Sequence, residues 1–184
     1  MPEDRKNAGT DIPPGLRIRV ADENDNRLLA DLVRKTFLDT FGADNTPENM
    51  AAYLAASFAP EIQAAELSDP DTTFLIAEVG GEAAGFARLR QGGNGFNSSA
   101  FCPFEIVRFY SRQEWIGRGV GSALMQTCLE LAKTLGCDLL WLDVWEHNPR
   151  AQAFYRKWGF ERVGSQAFRL GDELQTDWIM QRLI

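Results

Sequence analysis

The sequence predicts a mixed α/β domain: a sheet of about seven strands flanked by four helices. Three observations predict it. Segments alternating apolar and polar residues exchange with segments at helical spacing in the order β α α β β β α β α β β. In the middle of the chain strand and helix take turns, which implies a parallel pair of strands on either side of a glycine-rich loop and its helix. Finally, 184 residues at 45% hydrophobic and 24% charged suit one domain with its own core.

Residues 1 to 15 are polar, carry Pro13 and Pro14, lack periodicity, and are expected to be a flexible N-terminal arm, with the single domain running from 16 to 184. Leu16 to Val20 alternates apolar and basic residues as a half-buried strand does, and Asp22 or Asn24 can cap the following helix. Leu28, Leu29, Leu32, Val33, Phe37 and Phe41 keep helical spacing up to Gly42. A second helix is expected from Pro47 to about Phe58, with Met50, Tyr53, Leu54 and Phe58 on one face. Thr73 to Val79, the turn at Gly80 and Gly81, and Ala83 to Arg90 read as a hairpin. Residues 91 to 103 have three glycines and no period, the pattern of a mobile loop. Phe104 to Ser111 is a strand leading into a second glycine-rich loop. In the helix after it, Leu124, Met125, Cys128, Leu131, Ala132 and Leu135 form one stripe, closed by Gly136. Leu139 to Trp145 is an apolar strand interrupted by Asp143, Arg150 to Trp158 is a short helix, and Phe160 to Leu170 with Thr176 to Leu183 close the chain as a hairpin across GDE.

Composition removes several classes of function. The net charge is −7, which argues against a nucleic-acid binder that works by neutralising phosphates. No apolar run approaches the roughly 18 residues a membrane span needs, and the first residues lack the apolar stretch of a secretion signal, so a cytoplasmic protein off the membrane is expected. Cys102, Cys128 and Cys137 are odd in number with no C-x-x-C pair, and His147 is the only histidine. Neither a disulfide framework nor a metal site is expected.

The chemistry is concentrated in two motifs. WIGRGVGSALM, residues 115 to 125, joins a strand to a helix, and its glycines let backbone amides approach an anion at the helix N-terminus. It lacks the Gly-Lys-Ser/Thr ending of a nucleoside-triphosphate loop and the third glycine of a dinucleotide loop. After it comes N-x-x-A-x-x-F-Y-x-x-x-G-F, complete from Asn148 to Phe160. With these motifs the chain resembles the GCN5-related N-acetyltransferases, whose first signature, Q/R-x-x-G-x-G/A, is met at Gly119 and Gly121 but carries Ile116 where Gln or Arg is usual. The stretches SFAPEI, FEIVRFY, LWLDVWEHN and LGDELQTDWIM further resemble the Pai-type polyamine N-acetyltransferases within that family.

The resemblance implies acetyl-coenzyme A as cosubstrate and no metal. The amides of Arg118, Gly119, Gly121 and Ser122 would bind the diphosphate, with Gly117 and Val120 lining the loop. Phe109, Tyr110 and Ser111 would pair through their backbone with pantetheine, which requires the fourth and fifth strands to splay apart. Asn148 would contact pantetheine, although Asn before proline is equally a helix N-cap. Tyr155 would be the general acid, a phenol of pKa about 10 facing a thiolate whose conjugate acid lies near 8.5. An alkylamine of pKa about 10.4 is only about 0.04% neutral at pH 7, so the site must remove a proton. Glu105, or Glu146 with His147, are candidates for a base or for substrate binding.

Between Thr36 and Ala87 stand nine acids (Asp39, Asp44, Glu48, Glu61, Glu66, Asp69, Asp71, Glu78 and Glu82) and no basic residue. A field of that sign would concentrate a cationic amine, although a merely soluble acidic surface reads the same way. The expected activity is transfer of acetyl from acetyl-coenzyme A to a primary amine of a small cationic acceptor, a polyamine, in a ternary complex. The rivals are acetylation of protein N-termini or lysines, and a coenzyme A-binding sensor without turnover. A homodimer is compatible with all three.

Overall fold

The computed structural model describes residues 12–92, 102–170 and 173–184. Most of the expected arm, the centre of the expected 91–103 loop and part of the GDE turn lie outside those residues. Seven strands form one sheet in the order β1-β2-β3-β4-β5-β7-β6: β1 Leu16–Val20, β2 Thr72–Val79, β3 Glu82–Gln91, β4 Pro103–Ser111, β5 Leu139–Trp145, β6 Glu161–Leu170 and β7 Glu173–Leu183. Among the described residues only β4 and β5 run parallel; the other neighbours are antiparallel.

Among the described residues there are five α-helices rather than four: α1 Asn26–Phe41, α2 Pro47–Ser57, α3 Pro60–Leu67, α4 Val120–Thr134 and α5 Pro149–Lys157. The addition is α3. It spans eight residues, has no side-chain N-cap and buries only Gln63, so no apolar stripe announces it in the sequence. Tertiary ties hold it instead. Glu66 pairs with Arg88 on β3 at 2.5 Å and with Arg108 on β4 at 2.6 Å, all three side chains largely shielded from water.

The other helices begin where their caps dictate. Asp22 accepts from the Asn24 amide at 2.8 Å and heads a capping box on the 3-10 turn Glu23–Asp25 that leads into α1, whose own N-cap Asp25 makes no side-chain capping bond, while Thr46 accepts from the Asn49 amide before α2, with Pro47 at the first helical position. Gly119 enters α4 at φ 87°, in the left-handed region that favours glycine.

Each face of the sheet carries its own core. On one face α4 and α5 cover Leu140, Leu142, Val144 and Met180. On the other, Phe37 and Phe41 of α1 and Met50 and Leu54 of α2 pack on Phe74, Ile76 and Phe86. Among the described residues, no helix is long and apolar enough to cross a membrane.

The irregularity that matters lies in β4. Its parallel pairing with β5 covers only Pro103↔Leu139 to Ile106↔Leu142, whereas β4 stays paired to β3 as far as Ser111, and β5 to β7 as far as Trp145. The register between β3 and β4 shifts so that Leu89 faces Ile106 but Arg88 faces Arg108, which leaves Val107 as an extra residue. A bulge bends the strand that carries it. Here it falls one residue past the last β4–β5 pair, and the two strands part at that point.

Candidate active site

The gap between β4 and β5 opens into a cleft of about 660 Å³. The cleft crosses the sheet. Its walls include Trp115 and Phe154, packed on the α4/α5 core, and Phe37, Tyr53, Trp145 and Phe168, packed on the α1/α2 core. A ligand seated in the gap would therefore reach chemistry on both faces of one sheet.

On the α4 side, Gly117, Gly119, Gly121 and Ser122 line the cleft. The first intrahelical bond of α4 runs from the Ala123 amide to the Gly119 carbonyl at 3.0 Å, so the amides of Val120, Gly121 and Ser122 precede it and face the loop as an anion-binding helix start. Gly117, at φ 76°, has nothing within 4 Å of where a Cβ would stand, leaving room for a diphosphate. The Arg118 amide donates to the Trp115 carbonyl at 3.2 Å and so is already engaged. Val120 is fully buried and sends its side chain into the core rather than along the loop. The donor set and the space fit a diphosphate without Arg118.

Phe109, Tyr110 and Ser111 line the cleft along the part of β4 beyond the bulge. Backbone groups there that point towards β5 have no strand opposite them, the arrangement an extended amide-bearing ligand can complete. Asn148 lines the cleft, and its Oδ1 accepts from the Ala151 amide at 3.1 Å, so it also caps α5. Tyr155 lines the cleft at 6% exposure, with its ring against Phe109, Phe154 and Phe160. Burial pushes its phenol pKa well above the ordinary 10, which keeps it protonated and able to donate at any working pH.

The candidate bases separate. Glu105 lines the cleft and is 93% buried, and its Oε2 accepts from Arg90 at 2.5 and 3.0 Å. Glu146 and His147 do not reach this cleft. They line a smaller neighbouring hollow, 4.0 Å apart, with the His147 side chain 71% exposed.

Two carboxylates that the sequence reading left out do line the cleft: Asp143 on β5 and Asp177 on β7. Burial, with Asp177 and Glu105 nearby, raises Asp143 to about 7, and burial beside Glu146 raises Asp177 to about 6. Asp143 was visible in the sequence as the one charge interrupting an apolar strand. Strand alternation assigns a side chain to a face, but it does not say that the sheet is open beside that face. The nine acids between Thr36 and Ala87 contribute no carboxylate to the cleft wall, and Asp39, Glu66 and Glu78 are paired with Lys35, Arg88 and Arg108, and Arg19.

Comparison with known proteins identifies the family and the fold. The family model described as Acetyltransferase (GNAT) family matches residues 31–160. An uncharacterized N-acetyltransferase of Lactobacillus delbrueckii subsp. lactis is 34% identical over 92% of this chain and 98% of its own length. Another, from Mycobacterium bovis, is 32% identical over 84% of this chain and 94% of its own. Among solved structures, the PaiA N-acetyltransferase of Thermoplasma acidophilum, in complex with coenzyme A, superposes with a TM-score of 0.76 at 21% identity, covering 92% of this chain and 99% of that one.

Proposed function

The chain belongs to the GNAT acetyltransferase family, and from that premise we propose that it passes acetyl from acetyl-coenzyme A directly to a primary amine of a small cationic acceptor, a polyamine such as spermidine. As a family member it is an N-acetyltransferase with acetyl-coenzyme A as cosubstrate. The cosubstrate supplies an acetyl group activated as a thioester. The start of α4 binds its diphosphate through the Gly119, Val120, Gly121 and Ser122 amides, beside Gly117. The open edge at Phe109, Tyr110 and Ser111 orients pantetheine along β4, and Asn148 stands opposite. Tyr155 holds the proton that the departing sulfur takes up.

The observation that carries the acceptor reading is the composition of the α1/α2 side of the cleft. Asp143, Asp177 and Glu105, the last paired to Arg90, share it with Arg108, itself paired to Glu66, and with Phe37, Tyr53, Phe58, Trp145 and Phe168. Carboxylates balance ammonium groups, and aromatic faces suit both cations and the methylenes between them. Direct transfer is favoured over an acyl-enzyme because Cys128 is fully buried with its thiol pKa driven up, and it does not line the cleft.

Coenzyme A release measured across spermidine, spermine, neutral-tailed monoamines and peptides with free N-termini or lysines tests this reading. We expect spermidine to exceed a neutral-tailed amine in kcat/KM by at least about tenfold, and that margin to shrink as salt is raised. A preference for peptides would replace the acceptor; tight acetyl-coenzyme A binding with no release on any amine would remove turnover.

A further inference from the structure

The geometry points to Asp143 as the group that takes the proton from the acceptor's ammonium, with Asp177 beside it as a second counter-charge; this rests on the acetyltransferase reading above. The placement comes first. Asp143 is the first residue of β5 beyond its last pairing with β4, Ile106↔Leu142, so it stands where the two strands begin to part. Any ligand that threads the gap passes this position before reaching the α1/α2 side.

Its two oxygens are not equivalent. Oδ2 accepts from Gln166 Nε2 at 2.5 Å, whereas Oδ1 is buried and has no hydrogen-bond partner. A buried carboxylate oxygen left without a donor costs free energy unless a ligand supplies one. Trp145 Nε1 and Gln175 Oε1, on residues of the same cleft wall, are buried without partners as well. The wall is thus built around donors and acceptors that the protein itself does not provide.

The other cleft carboxylates are less suited. Glu105 is tied to Arg90, and a carboxylate held by a guanidinium is a poor proton acceptor. Asp143 makes no ion pair among the described residues. The charged and titratable groups that line the same cleft are Glu105, Arg108 and Tyr110 of β4, Asp177 of β7, Tyr53 of α2, and Arg150, Tyr155 and Lys157 of α5; Arg108 shares Glu66 of α3 with Arg88, and the neighbouring charges that act on Asp143 are Asp177 and Glu105. With its pKa raised from 3.8 to about 7, Asp143 binds a proton on the order of a thousandfold more tightly than an ordinary aspartate, yet still ionises near neutral pH.

The step balances as follows. R–NH3+ gives one proton to Asp143, which passes it to solvent. The freed nitrogen pair forms the N–C bond to the acetyl carbon while the C–S bond breaks with its electrons on sulfur. The second nitrogen proton leaves as the amide forms, and sulfur gains one from Tyr155, which is reprotonated in turn. The products are the N-acetyl amine, coenzyme A and one proton.

The test measures kcat/KM against pH for the wild type, Asp143→Asn, Asp143→Glu and Glu105→Gln, with spermidine and with a weakly basic amine that the wild type also acetylates. Acetyl-coenzyme A affinity is measured by calorimetry alongside. For the wild type we expect a rising limb with a midpoint near 7. Asp143→Asn should abolish that limb and lower kcat for spermidine about 10²- to 10³-fold, with coenzyme affinity within about twofold. Asp143→Glu should recover part of the rate, and the loss in Asp143→Asn should shrink at least about tenfold with the weakly basic amine, which is already neutral. A limb that survives in Asp143→Asn, or vanishes in Glu105→Gln instead, overturns the assignment and leaves the acetyltransferase reading intact. A wild type that binds acetyl-coenzyme A but acetylates no amine overturns both.

Discussion

Tyr155 shows how one side chain serves packing and chemistry together. Its ring lies 5.6 Å from Phe154, 5.8 Å from Phe160 and 6.2 Å from Phe109 by centroid, all in edge-to-face arrangements, and such pairs hold the ring in one orientation. Its hydroxyl adds a proton beside the cleft. Tyr155→Phe keeps every ring contact, so it should change stability by less than about 1 kcal/mol and leave acetyl-coenzyme A binding unchanged, while kcat falls about 10²-fold. Steady-state kinetics, calorimetry and thermal melting together decide it, and an unchanged kcat would assign the proton elsewhere. Tyr155 was legible in the sequence because it sits inside a complete motif. Asp143 and Asp177 stood in stretches that carried the resemblance, but no role could be read for them there, since their chemistry arises from neighbours brought in by other strands.

The β4–β5 fork is the element on which the site depends. Strand and helix order was readable from periodicity, and the boundaries of β5 match the sequence expectation, because a short apolar run broken only by Asp143 suits a strand covered on both faces. The helix α3 was not readable, since its stability comes from Glu66 reaching Arg88 and Arg108 rather than from an apolar stripe. Nor was the bulge at Val107, because an extra residue in one strand is defined only against its partner. If β4 beyond Ile106 is an open edge, its gap-facing amides between Val107 and Ser111 should exchange hydrogen quickly in the free protein and slow at least about tenfold when coenzyme A is added. Slowing confined to that stretch and the start of α4 is the expected pattern. Equal slowing across β2 and β3 would indicate general stabilisation and would argue against strand-like docking.

Over the whole molecule, charge is arranged differently from what its distribution along the chain suggests. The acid-rich stretch from Thr36 to Ala87 places Glu66 and Glu78 in ion pairs with arginines from the sheet, whereas the carboxylates of the cleft come from β4, β5 and β7, whose half of the chain is electrically balanced. The cleft holds these charges against the preference of the fold. Asp143 and Asp177 have folded-state pKa values of about 7 and about 6, both above the ordinary 3.8. Between pH 4 and 7 the folded state therefore binds more protons than the unfolded chain, and stability falls as pH rises through that window. The penalty is absent below about pH 4 and complete above about pH 7. Replacing both residues by asparagine removes it, so the double variant should melt at the wild-type temperature at pH 4 and a few degrees higher at pH 8. That gain corresponds to about 1–2 kcal/mol once the partial solvent exposure of both groups is allowed for. Melting curves at the two pH values, set beside the acetylation rate, check the sign and its meaning together. A site kept ionised for catalysis should lose activity as it gains alkaline stability, and a double variant that is less stable at pH 8 than the wild type would show that these carboxylates support the fold.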